Sequence, residues 1–93
     1  PPAGPLAVVV DPDPESRAAS AAGLTAAGWR VRAVGEPAAG ADAVRADPSA
    51  VRAVFVDLQV PGLGGAKALA EFGRLTPGAV RCATAAGLPP YAA

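Results

Sequence analysis

Histidine is missing altogether from this 93-residue chain. Ser-His-Asp and Cys-His triads, His-ligated zinc and His-ligated haem are therefore excluded, because each needs an imidazole as base or ligand. Cysteine is nearly missing as well, with Cys82 standing alone. One thiol makes neither an internal disulfide nor a metal site, and this usage fits a reducing cytoplasm. Methionine is absent, so the initiating residue was either trimmed or never part of this stretch. An excess of charge is lacking too, with eight basic residues against eight acidic ones. Nucleic-acid and anionic-membrane binders show clustered Lys and Arg, and no such cluster occurs here. The apolar runs fall far short of the roughly 18 residues of a membrane span. PPAGP at the start has neither the charged nor the apolar region of a signal peptide.

What is present is Ala, Gly and Pro, with eleven glycines and eleven prolines, a bias that reads as a GC-rich genome. The length corresponds to one small domain. A chain of this size buries only about 60–65% of the surface its unfolded form exposes, so its stability is modest.

Residues 1–5 read as a disordered lead-in, residues 6–86 as the domain and residues 87–93 as a tail. LAVVV at 6–10 is a continuous apolar run, the pattern of a strand buried on both faces. Asp13 followed by Pro14 and Glu15 predicts a helix start: an N-cap carboxylate, proline at the first helical position and an acid near the positive dipole end. That helix runs to about Ala27, turns Arg17, Ala21, Leu24 and Gly28 to one side, and ends at Gly28 as a C-cap. Residues 29–34 alternate, with Arg30 and Arg32 on the polar side, and predict an edge strand. A weak alanine-rich helix follows over 38–46, interrupted by Gly40, and Asp47-Pro48-Ser49 turns the chain. The third strand covers 53–56 and runs into Asp57. A third helix spans about 65–75, with Gly65, Ala68, Leu69, Phe72 and Leu75 inside and Lys67, Glu71 and Arg74 outside. The fourth strand covers 79–84, with Arg81 in its middle as a charge that guards an exposed edge. Cys82 reads as a small core residue.

The element order is thus β-α-β-α-β-α-β, with crossovers long enough for parallel pairing and helices on both faces of one sheet. In a flavodoxin-like doubly wound order, the first and third strands are neighbours and their carboxyl ends meet at the switch point, where ligands bind. Asp11 and Asp57 then face each other, with Asp13 behind them. Carboxylates crowded in a cleft repel unless a hard cation is present, and Mg²⁺ takes oxygen ligands while keeping several waters. A carboxylate is also a competent nucleophile toward phosphorus, giving an acyl phosphate. Thr84, at the end of the fourth strand, shares that rim and has a hydroxyl to offer a phosphoryl oxygen. GLGGAK is no phosphate loop: it misses the G-x-x-x-x-G-K spacing and opens the third helix instead of the first.

AVVVDPDPESR, FVDLQVPGLGG and VRCATA together resemble the receiver domain of bacterial two-component response regulators. The family's first strand ends in adjacent acids before a helix with an early Arg, matched by Asp11 and Arg17. Its phosphoacceptor Asp precedes a loop of the form D-x-x-M-P-x-x-x-G, matched by Asp57, Pro61 and Gly65. Its switch Thr or Ser ends the fourth strand, matched by Thr84. The resemblance implies Mg²⁺ held by Asp11, Asp57 and the backbone carbonyl of Gln59, with Asp13 as a weaker further candidate. It also implies a histidine kinase or phosphotransfer protein as phosphodonor, and an output domain or partner protein that responds, with no other enzymatic activity.

Three departures from the family's pattern stand out. Pro12 occupies the position of the second adjacent acid, and Val60 replaces the usual Met. The family's fifth strand, the Lys that pairs with the phosphoryl group, and the last helix are not matched. The fold expected is therefore a flavodoxin-like doubly wound parallel sheet of order 2-1-3-4, with the fifth strand and last helix absent. Its fourth strand is then an unpaired edge, open to homodimerisation or to the rest of a longer chain. Two functions stay open: a receiver that accepts phosphate on Asp57, and a degenerate receiver that acts as a phosphate-independent interaction domain. A flavodoxin-like cofactor-binding enzyme fits less well, because DPDPES is not a Gly- or Ser/Thr-rich phosphate cradle.

Overall fold

Valines dominate the centre of the sheet because a parallel strand is buried on both faces and favours β-branched residues. The computed structural model describes residues 4–57, 65–85 and 88–92. Its elements in chain order are β1 (Leu6–Val10), α1 (Pro14–Ala26), β2 (Arg30–Val34), α2 (Pro37–Ala46), β3 (Val51–Asp57), α3 (Gly65–Leu75), β4 (Val80–Ala85) and β5 (Leu88–Ala92). The sheet order is β2-β1-β3-β4-β5. The pairs β1–β2, β1–β3 and β3–β4 are all parallel, so the expected 2-1-3-4 arrangement is present. Among the described residues no helix is long and apolar enough to cross a membrane.

Side chains alternate across a strand, and here the two faces are covered unequally. Val8, Val10, Val54 and Val56 pack with Ala41 and Val44 of α2 and Phe72 of α3 into the core. On the opposite face, Val9 and Phe55 line a cavity of about 260 Å³ with Ala19, Ser20, Gly23 and Leu24 of α1. The α1 residues that meet the sheet are mostly small, so this helix seats without burying any residue fully. Its half-buried positions are Arg17, Ala21 and Leu24, the spacing expected of one helical face. Val80, in register with Ala53 on that side of the sheet, stays 57% exposed.

Local chemistry sets the boundaries. Asp13 caps α1, its Oδ2 accepting from the Ser16 N–H at 2.8 Å, with Pro14 in the first turn. At the other end Gly28 takes φ 99°, a conformation open to glycine without Cβ strain. The Gly28 N–H donates to the Thr25 carbonyl and the Trp29 N–H to the Leu24 carbonyl, each at 3.0 Å. This is the Schellman closure. Trp29 therefore belongs to the helix cap, and β2 begins at Arg30 instead of Trp29. Gly40, read from sequence as an interruption of α2, is a contact instead. A Cβ there would lie 2.6 Å from Val10 Cγ2 and 3.0 Å from Phe72 Cζ, so its missing side chain lets α2 settle onto β1 and α3.

The outer side of the sheet requires a correction. Residues 87–93 were expected as a tail, with the fourth strand unpaired. Instead, Leu88–Ala92 runs antiparallel to β4, with Cys82 opposite Ala92, Ala83 opposite Tyr91 and Ala85 opposite Leu88. A strand that returns after a two-residue link cannot be parallel, since a parallel return needs a crossover of about a dozen residues. Pro89 and Pro90 bar a helix but not this outermost strand, where they fall at the break in register between Ala83 and Ala85, since proline is tolerated on edge strands and at bulges. The unpaired backbone row thus belongs to β5, and the premise of dimerisation through the β4 edge falls away.

Candidate functional site

Parallel strands of a doubly wound sheet deliver their last residues to one edge, and here that edge carries the acids. Val10 pairs in register with Val56. The next residue on each strand is a carboxylate, Asp11 after β1 and Asp57 at the end of β3. They are 5% and 7% exposed, low values for aspartates, which are seldom so buried without polar partners. β4 brings a third residue, since Thr84 lies in register with Asp57. Its side chain lies outside what is described, as do Gln59 and the whole stretch 58–64, including Val60 and Pro61.

The β1–α1 turn holds Asp11 from several sides. Its N–H donates to the Val34 carbonyl at 3.0 Å, which extends the β2 ladder by one bond. Its Oδ1 accepts from the Asp13 N–H at 2.9 Å. Its carbonyl oxygen accepts from Arg17 Nη1, also at 2.9 Å. Pro12 sits between, with φ fixed by its ring. A side chain that accepts from the backbone two residues on is an Asx turn.

Asp13 sits in the same turn but is exposed and engaged as the N-cap of α1. The structure therefore brings Asp11, Asp57 and the Thr84 backbone to one rim and gives Asp13 to the helix. Among the described residues no group of three or more acids and cysteines clusters as a metal site. Two carboxylates do fit Mg²⁺, which commonly takes one or two from the protein and fills its remaining positions with water and phosphate oxygens. The Asx hydrogen bond occupies only Oδ1 of Asp11, and Oδ2 is not part of that ring. Lys67, in the first turn of α3, is exposed and lines a groove with Pro37, Asp42 and Arg45 of α2.

Away from the acids, Cys82 lies in register with Phe55 and is half-buried, and desolvation raises its thiol pKa. Arg81 lies over Gly73, where an added Cβ would meet the end of its guanidinium, a neighbour relation that only the fold reveals. What sequence reasoning missed is the hydrogen bond from Arg17 back to the Asp11 carbonyl. Its sequence signal was an arginine in the first turns of a helix, where an acid suits the dipole better.

No family model matches the chain, and no curated protein matches it in sequence. Solved structures do match. A response regulator receiver domain protein from Clostridium thermocellum superposes with a TM-score of 0.77 at 16% identity, over 91% of this chain and 84% of that one. The signal receiver domain of an HD domain-containing protein from Pseudomonas fluorescens Pf-5 gives 0.77 at 19% identity, over 92% of this chain and 66% of that one. A response regulator from Thermotoga maritima gives 0.72 at 19% identity, over 92% and 70%. Likeness at such identities is likeness of fold, and the fold here is that of a receiver domain.

Proposed function

We propose that this chain is the receiver module of a cytoplasmic two-component relay, accepting a phosphoryl group on Asp57. The observation that carries the reading is the pair of buried carboxylates, Asp11 and Asp57, at the carboxyl ends of adjacent parallel strands, with Thr84 in register beside Asp57. In the reaction, an Asp57 carboxylate oxygen attacks phosphorus. The new P–O bond makes an acyl phosphate, and the donor leaves with the electron pair of the bond that breaks. Mg²⁺, when bound, offsets the charge that gathers on the phosphoryl oxygens. Asp11 and Asp57 would supply its carboxylates, the Gln59 carbonyl would supply a further ligand, and the Thr84 hydroxyl would donate to a phosphoryl oxygen. The phosphodonor is a histidine kinase or phosphotransfer protein, and an output domain or partner protein responds.

One observation favours a second reading. Asp13, the acid available to replace the one lost at Pro12, is held 2.8 Å from the Ser16 N–H as a helix cap. A cleft with two acids instead of three suits a domain that binds partners without phosphate.

Incubation with Mg²⁺ and acetyl phosphate, followed by intact mass, separates the two. The phosphoacceptor reading expects a gain of one phosphoryl group that disappears in Asp57→Asn. No gain, together with no heat of Mg²⁺ binding by calorimetry, leaves the interaction reading.

A further inference from the structure

Arg17 occupies a position the helix itself does not favour. The first turns of a helix carry positive partial charge, which suits acids and disfavours cations. Its side chain turns back out of the helix, and Nη1 donates to the Asp11 carbonyl oxygen at 2.9 Å. The same Nη1 lies beside Gly35, just after β2, where an added Cβ would stand 3.0 Å from it and 3.9 Å from Cζ. Arg17 is half-buried and enters none of the ion pairs among the described residues. Its side-chain hydrogen bond goes to the Asp11 backbone, and it sets the guanidinium next to the turn after β2.

Those contacts close a ring. The Asp13 N–H donates to Asp11 Oδ1, Ser16 N–H to Asp13 Oδ2, Arg17 N–H to the Asp13 carbonyl and Arg17 Nη1 to the Asp11 carbonyl. Pro12 and Pro14 fix two of the intervening φ angles. The direction of the Asp11 carboxylate is thereby set by the turn, and the turn is clamped by Arg17.

We propose that Arg17 is the positioning residue of the acid cleft: bonded to the Asp11 carbonyl and seated beside Gly35, it holds the β1–α1 turn so that Asp11 presents Oδ2 to a divalent cation. The proposal rests on the reading of Asp11 and Asp57 as a cation site. Hydrogen-bond partners that orient a metal ligand commonly govern affinity by 10–100-fold.

Charge alone makes the opposite forecast, which gives the test its power. Deleting a cation from the turn that carries Asp11 strengthens the hold on Mg²⁺ if Arg17 acts only through its field. Mg²⁺ titration by calorimetry on Arg17→Met, Arg17→Lys and Gly35→Ala, with urea midpoints confirming that each folds, decides between them. Positioning expects Arg17→Met to bind about tenfold more weakly, Arg17→Lys to recover only part of the loss, and Gly35→Ala to weaken binding with the charge intact. A second readout needs no metal: the exchange rate of the Asp13 amide, which rises several-fold in Arg17→Met when the clamp is released. Tighter or unchanged Mg²⁺ binding in Arg17→Met overturns the proposal. Should the wild-type chain bind no Mg²⁺, the cation reading itself fails; the Asp13 amide then decides whether Arg17 holds the turn, and an unchanged rate overturns that as well.

Discussion

Two glycines inside helices answer the same substitution in opposite ways. Gly40→Ala gains about 1 kcal/mol of helix propensity, but its Cβ arrives 2.6 Å from Val10 Cγ2 and 3.0 Å from Phe72 Cζ. Neither neighbour has room to yield: both are 1% exposed, and Val10 is a β-branched residue with a stiff χ1 at the end of β1, an interior strand. Overpacking of a filled core costs typically about 1–3 kcal/mol, and the closeness of the 2.6 Å contact places this case toward the upper end. The net expectation is a loss of roughly 1–2 kcal/mol, or a melting temperature lower by roughly 5–15 °C in a domain of this size. Gly23, in α1, has nothing within 4 Å of an added Cβ. Gly23→Ala is expected to stabilise by about 0.5–1 kcal/mol through helix propensity and a less flexible unfolded chain. Urea unfolding followed by circular dichroism, with m-values compared across wild type and both variants, measures the pair. Equal stability gains in the two variants would refute the packing of α2 onto β1 and α3. Since Val10 directly precedes Asp11, Gly40→Ala also bears on the acid cleft.

Two further outcomes follow from the same structure. Asp13→Ala removes the α1 cap and is expected to cost about 1 kcal/mol, read as a lower urea midpoint; an unchanged midpoint would refute the cap. For Cys82, burial raises the thiol pKa in the folded state, so folding favours the protonated thiol. Its contribution to stability is present below the ordinary thiol pKa and is lost as pH rises through the raised folded value. Cys82→Ser is accordingly expected to flatten the alkaline side of the stability profile, measured as urea midpoints from neutral pH upward, and an unchanged slope would contradict the sign.

Several parts of the molecule were legible from the chain because their signals are local. The apolar run at 6–10, the Asp13-Pro14 start of α1, and Gly28 as its cap each depend on a few neighbouring residues, and each is where it was expected. Crossover length then restricted the sheet to parallel pairing, and the carboxylates at the ends of two strands pointed to the rim. The stretch 58–64 and the Thr84 side chain lie outside what is described, so the expectations for Gln59 and the switch hydroxyl rest on sequence alone.

Alternation, turn chemistry and crossover length were enough to determine a four-stranded parallel core and the acids at its edge, since each acts over a few residues and the chain carries them explicitly. Only the tertiary structure decided the rest. It turned Gly40 from a helix breaker into a packing contact, because Val10 and Phe72 converge on it from elements distant in the chain on either side. It laid Leu88–Ala92 antiparallel on β4, because an unpaired ladder is satisfied by whatever segment can reach it. It set Arg17 beside both Asp11 and Gly35, an arrangement that exists only once β1 and β2 lie side by side.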